Sequence, residues 1–294
     1  MTHLQWVKLL TKKHTLLILF VMFLLGSAYP TAKLGINASM PPILFGAIRM
    51  LIVFICLVPF LNFKLPNKKY LLPLLGFSFS MGVSVNLFLY LSVEASSIIS
   101  PLVIGAQLSI PIAIILSSIF IGESIGNRKW ILIITSFLGI VLIGFDPKIA
   151  DEILGFLLIC GMAFFYASAQ VFSRYLKELD VKFTSAFMGL VAFIILLIIS
   201  IYFEGSTIFH LKNLNLEAWL MVLHAGVLCS LMGHMSMFYL YKYYLVAQVL
   251  PFYALFPIFG MLLSFFIFGE IPTIIMIFGG IIVITSVFLL QKIR

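Results

Sequence analysis

The chain has 294 residues, of which 63% are hydrophobic and only 10% charged, with a formal net charge of +8. Soluble domains carry about 25% charged residues, and no packed core of this size absorbs so much apolar surface. A water-soluble globular chain is therefore excluded, and lipid is the solvent for most of these residues.

A membrane span needs roughly 20 apolar residues. In chain order such runs fall near 15–33, 42–61, 70–92, 98–121, 130–145, 153–173, 183–203, 218–240, 246–268 and 272–290. They are hydrophobic on all sides and rich in Leu, Ile and Phe. None alternates in the ten-residue pattern of an outer-membrane barrel. The expected fold is an all-α integral membrane protein of about ten transmembrane helices. A competing reading takes Leu16–Leu25 and Gly26-Ser27-Ala28 as a cleaved secretory signal. Cleavage there would remove a helix that the repeat described below requires.

Basic residues set the orientation. With the N-terminus inside, Lys8, Lys12, Lys13, Lys64, Lys68, Lys69, Arg128, Lys129, Arg174, Lys177, Lys182, Lys242, Lys292 and Arg294 are cytoplasmic, against Lys33, Lys148 and Lys212 outside. Fourteen against three places both termini in the cytoplasm and the chain in an inner, cytoplasmic membrane. The positive charge reads as a topology signal and a contact with anionic lipid, not as a nucleic-acid site. Cys56, Cys160 and Cys229 all lie within spans and have no metal or disulfide spacing.

Two phrases repeat. Ile110-Pro111 begins an apolar run ending at Gly122-Glu123, and Phe256-Pro257 begins one ending at Gly269-Glu270. Gly26-Ser27-Ala28-Tyr29 with Lys33 aligns with Ala167-Ser168-Ala169-Gln170 and Arg174. Phe137–Val141 aligns with Phe278–Ile282. Two units follow, 15–147 and 153–292, of five spans each. Because five is odd, the halves are inverted, so Glu123 and Glu270 close opposite faces. Inverted repeats are typical of secondary transporters, whose halves exchange conformations.

With LLGSAYPTAK in span one, MPPILFGAIRMLI in span two, AFFYASAQVFSRYL in span six and both proline-to-Gly-Glu phrases, the chain resembles the drug/metabolite transporter superfamily, in its EamA branch of ten-span proteins. The resemblance covers essentially the whole chain. It implies two five-span repeats around a central cavity, with spans five and ten packed peripherally, and substrates such as amino acids, metabolites or drugs, more often exported than imported.

Polar groups inside spans are the candidate path, since each is costly when unpaired in lipid. Asn86 and Tyr90 share one face of span three, and Tyr166 and Gln170 one face of span six. Gln107 stands four residues before Pro111, and Tyr253 four before Pro257, placing a polar side chain beside a helix break in each half. Ser27 with Pro30 marks a comparable irregular point in span one. Each of these also fits a plain interhelical hydrogen bond. His224 and His234 are the embedded groups that titrate near neutral pH. His234, nearer the middle, is the candidate for proton coupling, and a structural histidine is the competing reading. Arg49, a third of the way into span two, snorkels outward, pairs with an outer carboxylate or faces an anionic substrate, with a structural role favoured. Glu123 and Glu270 end helices where negative charge is unfavourable. Arg128 and Lys129 are near Glu123, whereas the partner of Glu270 must be distant; structural pins are expected, with gating as the alternative.

The chain therefore reads as a secondary carrier of small organic solutes, most plausibly amino acids or related metabolites leaving the cell. A drug exporter or an importer of the same fold is the alternative. A membrane-embedded enzyme lacks HExxH, GxSxG or paired aspartates, and a passive channel is the remaining class. No nucleotide-binding motif appears, and neither a cofactor nor a metal site is expected. The expected partners are a small-molecule substrate and the lipid bilayer, with a homodimer compatible.

Overall fold

A computed structural model describes residues 12–61, 66–205, 211, 214–244 and 249–292; the side chains at 234, 238, 241, 242, 250 and 251 lie outside that description. Among the described residues there is no strand, and nine helices are long and apolar enough to cross a membrane, with one shorter apolar helix. In chain order they are α1 (Lys12–Asn37), α2 (Pro42–Phe60), α3 (Lys68–Glu94), α4 (Ser100–Ile121), α5 (Asn127–Gly144), α6 (Ile153–Tyr175), α7 (Val181–Phe203), α8 (Leu216–Met237, helical on to Tyr243), α9 (Phe252–Phe268) and α10 (Ile274–Lys292). Each of the ten expected spans falls on one of them.

The connections alternate between two faces. One face carries the turns at 122–126 and 176–180 and the last helical turn of α10, and is called here the termini face. The other carries 38–41, 95–99, 145–152 and 269–273. The chief helix pairings are α3 with α6 and its counterpart α1 with α8, α1 with α9 and its counterpart α4 with α6, and finally α2 with α7 and α5 with α10. Every one joins a helix of the first half to a helix of the second. Counterparts interchange under exchange of the halves, and the last two pairings map onto themselves, as an inverted five-plus-five arrangement demands.

Close approach in lipid depends on small residues, because lipid tails offer apolar groups as good an environment as Leu does. At the α5–α10 crossing a Cβ on Gly139 would meet the Gly279 carbonyl at 3.0 Å, and one on Gly279 would meet the Gly139 carbonyl at 2.8 Å. Backbone cannot yield as a side chain can, so both positions require glycine.

Apart from the 3-10 turns that end α2 (Val58–Phe60) and open α3 (Lys68–Tyr70), four helices depart from regular α geometry, in matched pairs. α3 is π-helical over Ser78–Ser84 and α8 over His224–Gly233. α4 tightens to 3-10 geometry over Ala106–Leu108, and α9 opens in such a stretch, which covers Leu250–Leu255. The breaks expected near Pro111 and Pro257 are these tightened turns, placed just before each proline. The irregular point expected at Ser27 and Pro30 is absent: α1 runs unbroken through Pro30. There the Ser27 hydroxyl bonds back to the Leu24 carbonyl at 2.8 Å, and Thr31 to the Ser27 carbonyl at 2.7 Å. Pro30 lacks the amide that would reach the Gly26 carbonyl, and a membrane helix packed among others tolerates that loss without breaking.

The Gly-Glu phrases have one geometry in both halves. Gly122 and Gly269 end α4 and α9 with φ of 78° and 65°, a left-handed conformation that glycine adopts without strain. Their amides return to the Ser118 and Phe265 carbonyls at 3.2 and 2.9 Å.

The Gly279→Leu protein is expected to lose about 1–3 kcal/mol of stability through overpacking. Gly280→Ala, whose Cβ would meet only the end of the Ile104 side chain at 3.1 Å, should unfold near the wild-type temperature. Thermal unfolding of both in detergent checks the contrast.

Candidate transport cavity

Between the halves lies a cavity of about 660 Å3. Its lining comes from both repeats: Tyr29 of α1, Arg49 of α2, Gln107 of α4, Tyr166 and Gln170 of α6, and Tyr253 at the start of α9 are its main polar groups. Between them lie Leu25, Ile110, Met162 and Phe256. At the termini face the lining ends on Glu123, Lys129, Arg174 and Gln291. Toward the opposite face, Ala32, Phe45, Leu89, Val93, Ile99 and Leu102 pack into one buried cluster. The cavity is thus open on the termini face and packed shut beyond its floor.

The floor is built around Arg49. Its Nε donates to Ser230 Oγ at 2.9 Å, and its Nη1 donates to Asn86 Oδ1 at 3.3 Å and Tyr90 Oη at 3.0 Å. Asn86 and Tyr90 are one turn apart on α3, which lets both reach the same guanidinium. The π-helical stretches explain why these acceptors are where they are. A π turn leaves carbonyls without their usual i+4 partner. Asn86 donates to the Gly82 carbonyl at 2.7 Å, and Ser230 to the Ala225 carbonyl at 3.0 Å. Each side chain therefore seals a widened turn with its donor and holds Arg49 with its acceptor.

The residues singled out by sequence divide into two shells. Gln107, Tyr166, Gln170 and Tyr253 reach the cavity wall. Ser27, Asn86 and Tyr90 are not among the lining side chains and stand behind them. Arg49 also reaches the wall, and among the described residues no carboxylate pairs with it. Gln107 is fully buried; its Nε2 donates to the Tyr253 carbonyl at 3.1 Å, while its Oε1 has no hydrogen-bond partner among the described residues. His224 packs against α1, with Ser27 Oγ at 3.2 Å and Thr31 Oγ1 at 3.3 Å. The side chain of His234 lies outside the described residues. Pro30, Pro111 and Pro257 sit within their helices, away from the wall.

Two further groups belong to the site. Tyr29, stacked on Phe256 with ring centroids 6.4 Å apart, stood opposite Gln170 in the repeat alignment, and both now line the cavity. Ser230 carried no signal, since its role arises from a π turn that leaves no mark on hydrophobic spacing.

The two repeated glutamates have different surroundings. Glu123 forms an ion pair with Arg174 at the mouth, and not with Arg128 or Lys129. Glu270 accepts from the amides of Ile99 and Ser100 at 2.9 and 2.8 Å. Its distant partner is the N-terminus of α4, where the helix dipole favours a carboxylate. Glu204 likewise accepts from Ile43 and Leu44 at the start of α2, at 2.7 and 3.0 Å. Glu152 accepts from Ser97 and Ile98. Lys33, the repeat counterpart of Arg174, donates to the Val93 and Ser96 carbonyls at 3.1 and 2.5 Å. These bonds close the face opposite the mouth. Burial raises the Glu204 carboxyl above its ordinary range, against the lowering effect of Ser200 and the two amides.

Comparison with known proteins agrees with this geometry. The EamA-like transporter family model matches residues 12–145 and again 153–291. The chain is 26% identical over 274 residues to the uncharacterized transporter YdfC of Bacillus subtilis, covering 89% of this chain and 85% of that one. It is 22% identical over 292 residues to the probable amino-acid metabolite efflux pump of Escherichia coli, covering 95% of each. A crystal structure of a protein 17% identical superposes with a TM-score of 0.64, covering 94% of this chain and 96% of the other, which shows the fold alone. The chain belongs to the EamA-like transporter family, and is a multi-pass membrane transporter rather than an enzyme.

Asn86→Leu removes an acceptor from Arg49 and the donor of the Gly82 carbonyl, and is expected to cost about 1–3 kcal/mol. Ser168→Ala, whose hydroxyl returns only to the Phe164 carbonyl of its own helix, should stay within about 0.5 kcal/mol of wild type. Thermal unfolding in detergent reads both.

Proposed function

We propose that this protein is a secondary carrier that moves small organic solutes, amino acids or related metabolites, out of the cell by alternating access. One observation carries the reading: a cavity walled by both inverted repeats, open at one face and closed at the other by bonds between the halves. Two similar halves can exchange their roles, which converts a cavity open on one side into one open on the other. The name of the Escherichia coli relative supports amino-acid metabolites as the cargo. The lining supports it too, since apolar side chains alternate there with a few placed polar groups.

In this reading the units are 15–147 and 153–292, and the termini face is cytoplasmic in an inner membrane, as the lysine and arginine bias favours. The cavity then faces the cytoplasm, ready to load a solute for export. Gln107, Tyr166, Gln170 and Tyr253 line the path, and Ser27, Asn86 and Tyr90 support it. Glu270 is a structural pin in this reading, because its two amide bonds cap a helix. Proton coupling would fall to a histidine, as among the described residues no carboxylate lines the middle of the cavity.

The test is flux into liposomes holding the purified protein, with labelled amino acids and metabolites, with and without a pH gradient. Saturable, stereoselective flux is expected. Linear, unselective flux would make the protein a channel, and no flux across the panel would overturn the carrier reading. Uptake that follows the pH gradient would establish proton coupling. Glu270→Gln is expected to keep transport and lose about 1 kcal/mol of stability, as a weakened cap does. A Glu270→Gln protein of normal stability and no flux would reassign this residue to gating.

A further inference from the structure

We propose that Arg49 is the recognition site for a carboxylate on the transported solute, with Asn86, Tyr90 and Ser230 positioning its guanidinium. The proposal rests on the carrier reading and adds to it the chemical group that every good substrate carries.

Three features of the floor lead to it. A guanidinium cannot lose its proton in a protein, so its charge must be met where water is scarce. The three side chains that hold Arg49 are neutral oxygens, which satisfy N–H groups without cancelling charge. Among the described residues no carboxylate lies within ion-pair distance of it. Second, those three bonds use the Nε proton and both Nη1 protons. Nη2 donates to nothing among the described residues, and Arg49 is on the cavity wall. Two charged donors therefore remain on a side chain whose other edge is fixed, an arrangement suited to an incoming carboxylate. Third, the lining as a whole is cationic. Its charged members are Arg49, Lys129 and Arg174 against Glu123 alone, and Glu123 is already paired with Arg174 at the mouth.

Gln107 refines the class of solute. Its Oε1 lies just behind the cavity lining and has no donor among the described residues, and an unmet acceptor of this kind is costly until something donates to it. An α-ammonium group supplies that donor once the amide turns toward the cavity. A small α-amino acid with an apolar side chain therefore answers the positive charge of Arg49, the free acceptor of Gln107 and the apolar wall of Leu25, Ile110 and Met162 together. A simple carboxylate answers the first and third only.

The experiment uses the full-length protein in detergent and follows thermal unfolding by tryptophan fluorescence. The probes are L-leucine, L-phenylalanine and 4-methylpentanoate, each beside its uncharged or cationic amide. At concentrations well above the dissociation constant at least one acid should raise the melting temperature by about 2–4 °C, and its amide should not. The amino acids should exceed 4-methylpentanoate. Arg49→Gln should abolish the shift and Arg49→Lys should retain part of it. Asn86→Asp places a carboxylate beside the guanidinium and should also abolish the shift in a protein that still unfolds cooperatively, so the result does not depend on whether Arg49→Gln folds. Amides that stabilise as well as acids, a shift that survives Asn86→Asp, or no shift with any of the acids would each overturn the proposal. Liposome flux separates this from the carrier reading. Saturable flux of solutes with no acidic group, at rates equal to their acids, would leave a carrier standing and remove Arg49 from recognition.

Discussion

Inside a bilayer there is no water to satisfy a polar group, so each must find its partner within the protein or in a water-filled cavity. The arrangement of this chain follows from that constraint. A regular helix spends all its backbone bonds on itself and leaves nothing for chemistry. Of the helices that depart from regularity, α3 and α8 supply the Asn86, Tyr90 and Ser230 oxygens that hold Arg49. The others, α4 and the entry to α9, supply Gln107 and Tyr253, which join Tyr29, Arg49, Tyr166 and Gln170 of regular helices at the cavity. The widened turns of α3 and α8 liberate carbonyls, Asn86 and Ser230 take them up, and the acceptors those side chains retain hold Arg49. Backbone irregularity, polar side chain and buried cation form one chain of dependence, and removing any member leaves an unmet group in an apolar setting.

The two halves share a sequence pattern and yet stand in different states. Both Gly-Glu phrases end a helix through the same left-handed glycine. Beyond that point they diverge: Glu123 meets a side chain at the open mouth, whereas Glu270 meets backbone amides at the closed face. Lys33 and Arg174, aligned in the repeat, divide in the same manner. The difference between the faces is a difference of partners, and the local geometry that presents the partners is common to both.

How much was legible beforehand follows from what each feature depends on. Long apolar runs and the arithmetic of five spans are properties of composition, so ten helices in two inverted sets could be read directly. Tyr166 and Gln170 were expected on the path from their helical spacing, Gln107 and Tyr253 from the prolines that follow them, and these four side chains line the cavity. Spacing could not say which side of a helix faces the cavity, so Asn86, Tyr90 and Ser27 turned out to stand behind it. Pro30 misled because one missing amide need not interrupt a helix packed among its neighbours. Partners supplied by backbone have no sequence signature at all, which is why the amides that receive Glu270 and Glu204 could not be named. The π turns were hidden for a related reason: a change of hydrogen-bond partner within one helix leaves its hydrophobicity untouched.

That last class of partner has a consequence for how such a chain can diverge. On the closed face, Glu204 and Glu270 of the second half grip the amides of residues 43, 44, 99 and 100 of the first. Every amino acid except proline offers the same amide, so the first half can exchange its side chains at those four positions without loosening the contact. Only the glutamates carry the information. A fastening written on one side alone lets the two halves drift apart in sequence, each acquiring its own lining, while the joint between them persists.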